Sequence, residues 1–262
     1  MTAALVARLR RAADEASRRG FAALADAALA PGELQRLAAS LGEPMFTPGE
    51  RSHPDHEHVF VVTNRGRTTP PRSVFHSDTS YVERPPSFTL LAGVEIPDAG
   101  GETVFVDQFA AWERAPATLR RALADVAFLH VASRVPDPAA AGAGAWHPVA
   151  RRHPTSGRTA LYVSARERLV AARRGGVVLP EAEARALIDA AHEQASRAVA
   201  AERHAWRPGD LLVTDNRSTL HAADHSAVVG TRTLHRVMVR GERPVAADLD
   251  ADATGVPDVS RA

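Results

Sequence analysis

Short strand-like segments separated by turns rich in glycine and proline are the feature that most limits the folds open to this chain. They cover residues 58–64, two strands within 87–107 joined by the turn 97–101, residues 126–133, a hairpin at 153–164 and much of 206–244. Helical patterns lie at 3–19, from 31 to about 44, at 108–125 and at 180–196. Because these helices do not alternate with the strands as βαβ units, the pattern predicts a mostly β fold, a sandwich or barrel with helices packed outside.

The bulk composition favours an ordinary intracellular protein. The 262 residues, 45% of them hydrophobic, suffice for one large domain or at most two small ones. We expect a single domain over residues 1–262 with a polar tail over about 245–262. A formal net charge of +1 provides no overall field for nucleic acid or an anionic membrane. The charged N-terminus has no apolar signal core and no stretch is long enough to span a membrane, so the expected location is the cytoplasm.

The segment "FHSDTSYVERPP" (75–86) places a histidine and an aspartate two positions apart. On extended backbone, His76 and Asp78 point to the same side and can reach one ion. An imidazole and a carboxylate suit iron(II), manganese or zinc, although a polar turn at the end of a strand would give the same spacing. The chain has no cysteine, which excludes thiolate zinc sites and cysteine nucleophiles.

A second group of polar residues lies near the C-terminal end. His221 follows a strand-and-turn pattern, and His225 and His235 are rival candidates for a third metal ligand. Arg232 and Arg236 are four apart on a stretch with strand character, so they share one face with Leu234 and Met238. A buried guanidinium without a partner is costly, and something anionic should therefore meet these arginines.

Five segments in order along the chain resemble the taurine dioxygenase and 2,4-dichlorophenoxyacetate dioxygenase family of Fe(II)/2-oxoglutarate-dependent oxygenases. They are "FHSDTSYVERPP", "AGGETVFVD", "HPVARRHPTSGRTALYV", "WRPGDLLVTDNRSTLHAADH" and "RTLHRVMVRGERP", within residues 75–244. The resemblance implies a double-stranded β-helix, the jelly-roll or cupin-like barrel. It implies that His76, Asp78 and His221 are the catalytic metal ligands and leave open positions for 2-oxoglutarate and dioxygen.

The resemblance also implies a role for further residues. Arg232 matches the arginine that binds the distal carboxylate of 2-oxoglutarate, and Thr103 matches the threonine that shares this carboxylate. Asn216 is expected to brace the turn before His221, whereas Trp206 is expected in the core. The implied cofactors are Fe(II), 2-oxoglutarate and O2, with ascorbate as a supporting reductant. Family members are often dimers or tetramers, which makes a homo-oligomer an expectation here.

Four residues are candidates for binding the prime substrate. Arg236 matches an arginine that binds the acidic group of the substrate in several relatives, while Arg72, Tyr81 and His53 occupy positions that could shape the pocket. The expected substrate is small and anionic, a sulfonate, phosphonate or carboxylate, and would be hydroxylated, cleaved beside a heteroatom or desaturated, with release of succinate and CO2. The sequence after His53 lacks the aromatic of taurine-specific members, which argues against taurine. A metal-binding jelly roll that senses a small molecule without catalysis is the alternative.

Overall fold

The helices of the protein lie at the chain's N-terminus and in its middle. A computed structural model describes residues 2–47, 52–66, 74–133, 142, 144–197 and 202–249. The helices are α1 (Ala3–Arg19), α2 (Pro31–Ala39), α3 (Gln108–Glu113), α4 (Ala117–Leu123) and α5 (Glu181–Arg197), with a 3-10 turn at Arg166–Arg168. Thr2 caps the start of α1, and Gly20, at φ 95°, ends it in a conformation that favours glycine.

Seventeen strands are present in the part of the chain that the structure describes. They are β1 (Phe21–Leu24), β2 (Pro44–Met45), β3 (Ser52–His53), β4 (His56–Thr63), β5 (Pro86–Glu95), β6 (Thr103–Asp107), β7 (Val126–His130), β8 (Ala145–Pro148), β9 (Ala150–Arg152), β10 (Thr159–Leu161), β11 (Leu169–Arg174), β12 (Val177–Val178), β13 (Glu202–His204), β14 (Leu211–Asp215), β15 (Thr219–Ala223), β16 (Thr233–Arg240) and β17 (Val245–Ala246).

A large antiparallel sheet forms one wall of the barrel, in the order β1-β14-β5-β16-β4-β3 with β2 also paired to β16. Its side chains alternate between two faces. Leu90, Val213 and Val237 pack outward against α1 and α2. Leu91 and Leu234 have the opposite strand parity to Leu90 and Val237, so they point inward. There they meet Phe105 of the opposing small sheet β13-β6-β15. The interior of the barrel therefore lies between these two sheets.

A third layer covers the small sheet from outside. The sheets β12-β11-β7-β8 and β10-β9-β17 pack with α3, α4 and α5 around one apolar cluster that includes Val106 and Leu220, the outward residues of β6 and β15. Val106 and Leu220 thus face this cluster while Phe105 and His221 face the barrel interior, as the alternation of side chains along a strand requires.

The predicted mostly β fold with flanking helices is confirmed, and the differences are local. The helix predicted over 108–125 is two short helices, because Pro116 lacks the amide hydrogen that a continuous helix would use. Residues 145–148, predicted to be flexible, form β8, while most of 134–144 lies outside the described residues. The predicted tail starts later than residue 245, since β17 pairs with β9 and Leu249 packs on the core.

The structure offers no membrane-spanning candidate in its described ranges, where none of the helices combines the necessary length and apolar character.

Candidate active site

The two predicted histidine ligands meet across a short antiparallel backbone bridge. His76 and His221 exchange two backbone hydrogen bonds of 3.0 Å each. Residues directly opposite one another on such a pair place their side chains on the same face. The two rings consequently lie side by side, with centroids 4.5 Å apart. His221 also lies opposite Phe105, so this face is the barrel interior.

Asp78 completes a group of three possible metal ligands. One ligand atom from each of His76, Asp78 and His221 lies within 4.8 Å of the others. The nearest approaches are 3.5 Å from His76 Nε2 to Asp78 Oδ1 and 3.8 Å from His221 Nε2 to Asp78 Oδ2. His76 Nδ1 lies 2.9 Å from the carbonyl oxygen of Val74. Because a carbonyl only accepts, Nδ1 carries the proton and Nε2 keeps its lone pair for a metal.

The protonation states of the buried ligands also suit a metal. Burial alone would raise the pKa of Asp78, but the charge of Arg236, with smaller contributions from His221 and His76, holds its pKa well below the ordinary value. Burial, partly offset by the charge of Asp78, lowers the pKa of His221 to about 3. At neutral pH the site therefore presents a carboxylate and a neutral buried imidazole, the forms in which these side chains bind metals.

Thr89 on the large sheet and Asn216 in the turn after β14 position the Asp78 carboxylate. Thr89 Oγ1 on β5 donates to Asp78 Oδ2 at 2.7 Å, and Asn216 Nδ2 in turn donates to Thr89 Oγ1 at 2.7 Å. The backbone amide of Asp78 donates to Asn216 Oδ1 at 3.4 Å. Asn216 thus contacts the ligand segment itself, beyond the turn that it was expected to brace. Thr89 was not predicted from the sequence, although its inward parity with Leu91 was a usable signal.

A buried guanidinium lies on the same interior face. Arg232, 2% exposed, donates from Nε to the Gly101 carbonyl at 2.7 Å and from Nη2 to Thr103 Oγ1 at 3.2 Å. A Cβ at Gly101 would lie 3.0 Å from Arg232 Cδ, so glycine permits this close approach. Within the described ranges, no carboxylate lies at ion-pair distance from Arg232. Burial lowers the pKa of Arg232 to about 10, which still leaves it charged at neutral pH.

Thr103 and Trp206 complete the surroundings of Arg232. The Thr103 hydroxyl oxygen accepts from Trp206 Nε1 at 3.0 Å as well as from Arg232, so its own proton is free for a further acceptor. The Arg232 guanidinium carbon lies 5.8 Å from the centre of the Trp206 ring. Trp206 is buried as predicted, but it is also a polar contact of this pocket, which sequence reasoning missed.

Arg236 lies directly against the three ligands. Its Nη1 donates to Asp78 Oδ1 at 3.2 Å, and its guanidinium carbon lies 5.4 Å from the centre of the Phe60 ring. The predicted common face of Arg232 and Arg236 follows from the parity of β16, which places Leu234 and Met238 in interior clusters. The structure therefore brings both arginines to the face that holds His76, Asp78 and His221.

The remaining predicted substrate residues have different outcomes. Tyr81 is buried three residues after Asp78, and Arg72 lies outside the described residues. The His53 ring packs against those of His56 and His235, with centroids 5.2 and 5.5 Å apart. Since His235 precedes Arg236 on a strand, it faces away from the barrel interior. This position separates His235 from the three ligands and places the His53 ring beside it, so a contact of His53 with the substrate stays a prediction.

The matches to known proteins agree with this geometry. A family model described as "Taurine catabolism dioxygenase TauD, TfdA family" matches residues 2–238. The chain belongs to the TauD/TfdA family.

A TauD/TfdA relative, the alpha-ketoglutarate-dependent 2,4-dichlorophenoxyacetate dioxygenase of Burkholderia sp. (strain RASC), is 30% identical over 65% of this chain and 59% of its own length. The alpha-ketoglutarate-dependent sulfate ester dioxygenase of Pseudomonas putida is 30% identical over 66% of this chain and 62% of its own length. The chain thus spans about three fifths of these curated relatives.

A solved structure of the TauD/TfdA family shares the fold. The crystal structure of a taurine dioxygenase from Burkholderia xenovorans superposes with a TM-score of 0.77 at 26% identity, covering 95% of this chain and 85% of that one. The predicted double-stranded β-helix, or jelly roll, is confirmed by this similarity together with the family match.

Proposed function

We propose that this chain is an Fe(II)- and 2-oxoglutarate-dependent dioxygenase that oxidises a C–H bond of a small anionic substrate. One observation carries the proposal: three metal-binding side chains and a buried arginine without an acidic partner in the described ranges share one interior face of the barrel. Family membership and relatives named as alpha-ketoglutarate-dependent dioxygenases support it.

His76, Asp78 and His221 would hold the metal. Two imidazoles and one carboxylate with open positions are the donor set of non-haem Fe(II) oxygenases. When bound, the metal activates dioxygen together with the keto acid, with release of succinate and CO2 and oxidation of the substrate. Asp78 stays ionised because Arg236 and the histidines offset the effect of its burial. Thr89 and Asn216 fix the direction of its oxygens.

Arg232 and Thr103 would hold the distal carboxylate of 2-oxoglutarate. The guanidinium is fixed by Gly101 and Thr103 and shielded from water, which strengthens its attraction for a carboxylate. The Thr103 proton is free to donate because its oxygen already accepts from Trp206 and Arg232. A bound carboxylate would neutralise a buried charge that the described part of the protein leaves without an acidic partner.

Arg236 would attract the acidic group of the prime substrate beside the metal. The sequence matches support an anionic substrate, because the named relatives act on 2,4-dichlorophenoxyacetate and on a sulfate ester. We therefore assign the class of substrate as a small carboxylate, sulfonate, phosphonate or sulfate ester, with hydroxylation as the first outcome and cleavage or desaturation as further outcomes.

The decisive experiment separates cofactor binding from turnover. Anaerobic addition of 2-oxoglutarate to the Fe(II) protein should produce a visible charge-transfer absorption, and a panel of aryloxyacetates, sulfonates and sulfate esters should release succinate in air. Asp78→Ala should lose both signals. Arg232→Met should raise the 2-oxoglutarate concentration that gives half of the full absorption by about a hundredfold, the loss of affinity expected for one buried ion pair.

Arg240→Met is the matched control, since Arg240 lies on the same strand but pairs with Glu43 at the surface, at 3.0 Å. It should leave both signals unchanged. An Asp78→Ala protein with full absorption and full succinate release would refute the proposed function.

A further inference from the structure

Arg168 is a third guanidinium beside the possible metal ligands. It ends the 3-10 turn before β11, half-buried, and its Nη1 donates to the carbonyl oxygen of Ser77 at 3.3 Å. Its Nε donates to Ser133 Oγ at 3.3 Å, and its carbon Cζ lies 5.8 Å from the centre of the Tyr81 ring. Ser77 lies between the first two ligands in sequence, so Arg168 is fixed within one residue of each of them.

Arg168 and Arg236 approach the ligand segment from two different sheets. Arg236 reaches Asp78 from the large sheet, whereas Arg168 reaches Ser77 from the sheet of β11 and β7. Two cations therefore contact the segment that carries the first two ligands, one on Asp78 and one on Ser77. None of the five segments that carry the resemblance to the family contains Arg168.

No acidic side chain of the described ranges neutralises Arg168. Its contacts are to a carbonyl, a hydroxyl and an aromatic ring, and Nη2 donates no hydrogen bond to any described residue. An arginine is always charged in proteins, and a half-buried charge without a counter-ion is unfavourable. The neighbouring arginines of the chain differ, because Arg166 pairs with Asp189 and Arg174 with Glu183.

The charges of the loaded site leave an excess of two positive charges for the substrate. The metal and the three arginines Arg168, Arg232 and Arg236 together carry five positive charges, whereas Asp78 and the keto diacid carry three negative ones. Arg236 lies against Asp78, and Arg232 would hold the keto acid, so one excess charge is that of Arg168 and the other belongs to the metal centre beside Arg236. A substrate with one acidic group would neutralise only one excess charge, whereas a substrate with two would neutralise both.

We propose that Arg168 binds a second acidic group, so that the prime substrate is a small diacid held between Arg168 and Arg236. This inference rests on the proposed function and narrows it. The substrate of the 2,4-dichlorophenoxyacetate relative carries a single carboxylate, so the second anchor would set this chain apart from it.

Matched pairs of probe compounds test the second anchor. Taurine and cysteate differ by one carboxylate, as do phenoxyacetate and 4-carboxyphenoxyacetate. Binding is measured by calorimetry to the protein loaded with Mn(II) and 2-oxoglutarate, which needs no turnover. The wild-type protein should bind the diacid of at least one pair about tenfold more tightly than its monoacid, the gain expected for one charge-assisted hydrogen-bonded pair. Arg168→Met should abolish this preference and change the affinity for monoacids by less than about twofold.

Arg174→Met is the control and should keep the preference, because Arg174 ends the strand that follows Arg168 and pairs with Glu183 at the surface. Arg168→Lys should keep part of the diacid preference, because lysine retains the charge but lacks the planar guanidinium. The lysine variant replaces the methionine variant if the latter fails to bind Mn(II) and 2-oxoglutarate. Two results overturn the inference: a wild-type protein that binds no diacid better than its monoacid, or an Arg168→Met protein that weakens both members of a pair equally. A wild-type protein that fails to bind 2-oxoglutarate with metal would instead contradict the proposed function.

Discussion

At the scale of single residues, the direction of the Asp78 carboxylate depends on a chain of two hydrogen bonds. Thr89 occupies Oδ2, and Asn216 directs the Thr89 hydroxyl by donating to its oxygen. The hydroxyl can therefore donate only toward the carboxylate, which leaves Oδ1 on the side of His76 and Arg236. Partners that orient a metal ligand in this way commonly affect metal affinity almost as much as the ligands do.

Thr89→Val should lower metal affinity without creating a cavity in the core. Valine keeps the shape of threonine but cannot donate to Asp78, so we expect Mn(II) to bind roughly tenfold to hundredfold more weakly by calorimetry. Thr214→Val is a close control, because Thr214 lies directly opposite Thr89 in the sheet and its buried hydroxyl has no partner among the described residues. The control should bind Mn(II) like the wild type. Equal affinities in the two variants would show that Thr89 has no orienting role.

The sequence predicts the ligands better than the residues that support them. His76, Asp78 and His221 lie in recognisable motifs, whereas Thr89 and Arg168 reach the same place only through strand pairing and have no motif of their own. His53 shows the limit of position along the chain as a signal. Its position predicts a substrate contact, whereas its ring packs against His235, which the parity of β16 places on the outer face.

At the scale of elements, a buried ionic network fixes the turn between β14 and β15, which leads to His221. Asp215 accepts hydrogen bonds from Ser17 on α1 at 3.0 Å, from His153 at 3.1 Å and from Arg217 at 2.5 and 2.8 Å. Burial would raise the pKa of Asp215, but the charge and hydrogen bonds of Arg217 outweigh it and lower that pKa. The stabilisation is therefore complete above the unfolded pKa near 4 and is lost as the pH falls below it.

Asp215→Asn should destabilise the protein by about 3 kcal/mol at pH 7, measured by urea unfolding. The amide keeps the shape but leaves the buried Arg217 without its close counter-ion; Glu242, at 3.9 Å, is a weaker substitute. Glu181→Gln removes an exposed pair with Arg185 and should cost less than about 0.5 kcal/mol. The difference between the wild type and Asp215→Asn should shrink below pH 4. A cost as small as that of the surface control would show that the network is dispensable.

The predictability of the elements follows their local signals. The strands β5 and β6 and the helices α1, α2 and α5 have clear periodicity, caps or turns, and the sequence located them well. The short strand β17 has only two residues, and its pairing with β9 depends on contacts about ninety positions away in the chain. No local pattern marks such a strand, so it was assigned to a polar tail.

At the scale of the whole molecule, buried histidines should make the metal-free protein sensitive to acid. Burial lowers the pKa of His130 well below its ordinary value and that of His147 to about 4. Between the unfolded pKa near 6.5 and these lower folded values, the unfolded chain binds protons that the folded protein refuses. The free energy of unfolding therefore falls as the pH is lowered through this range, by up to about 1.4 kcal/mol per pH unit for each such histidine.

His130→Phe should remove the contribution of one histidine to the pH dependence of the free energy of unfolding. The His130 ring is fully buried, is stacked at 5.7 Å on Tyr162, and has no hydrogen-bond partner for either nitrogen among the described residues, so phenylalanine can take its place without loss of a polar contact. Between pH 7.5 and 5.5, urea unfolding should show the wild type losing about 1.4 kcal/mol more than the variant, because only the wild-type unfolded state gains this proton. Tyr162→Phe alters the same cluster without removing an imidazole, and it should keep the wild-type slope. If His130→Phe and Tyr162→Phe have the same pH dependence, His130 is protonated in the folded protein as readily as in the unfolded chain, and the acid sensitivity of the molecule must come from other groups.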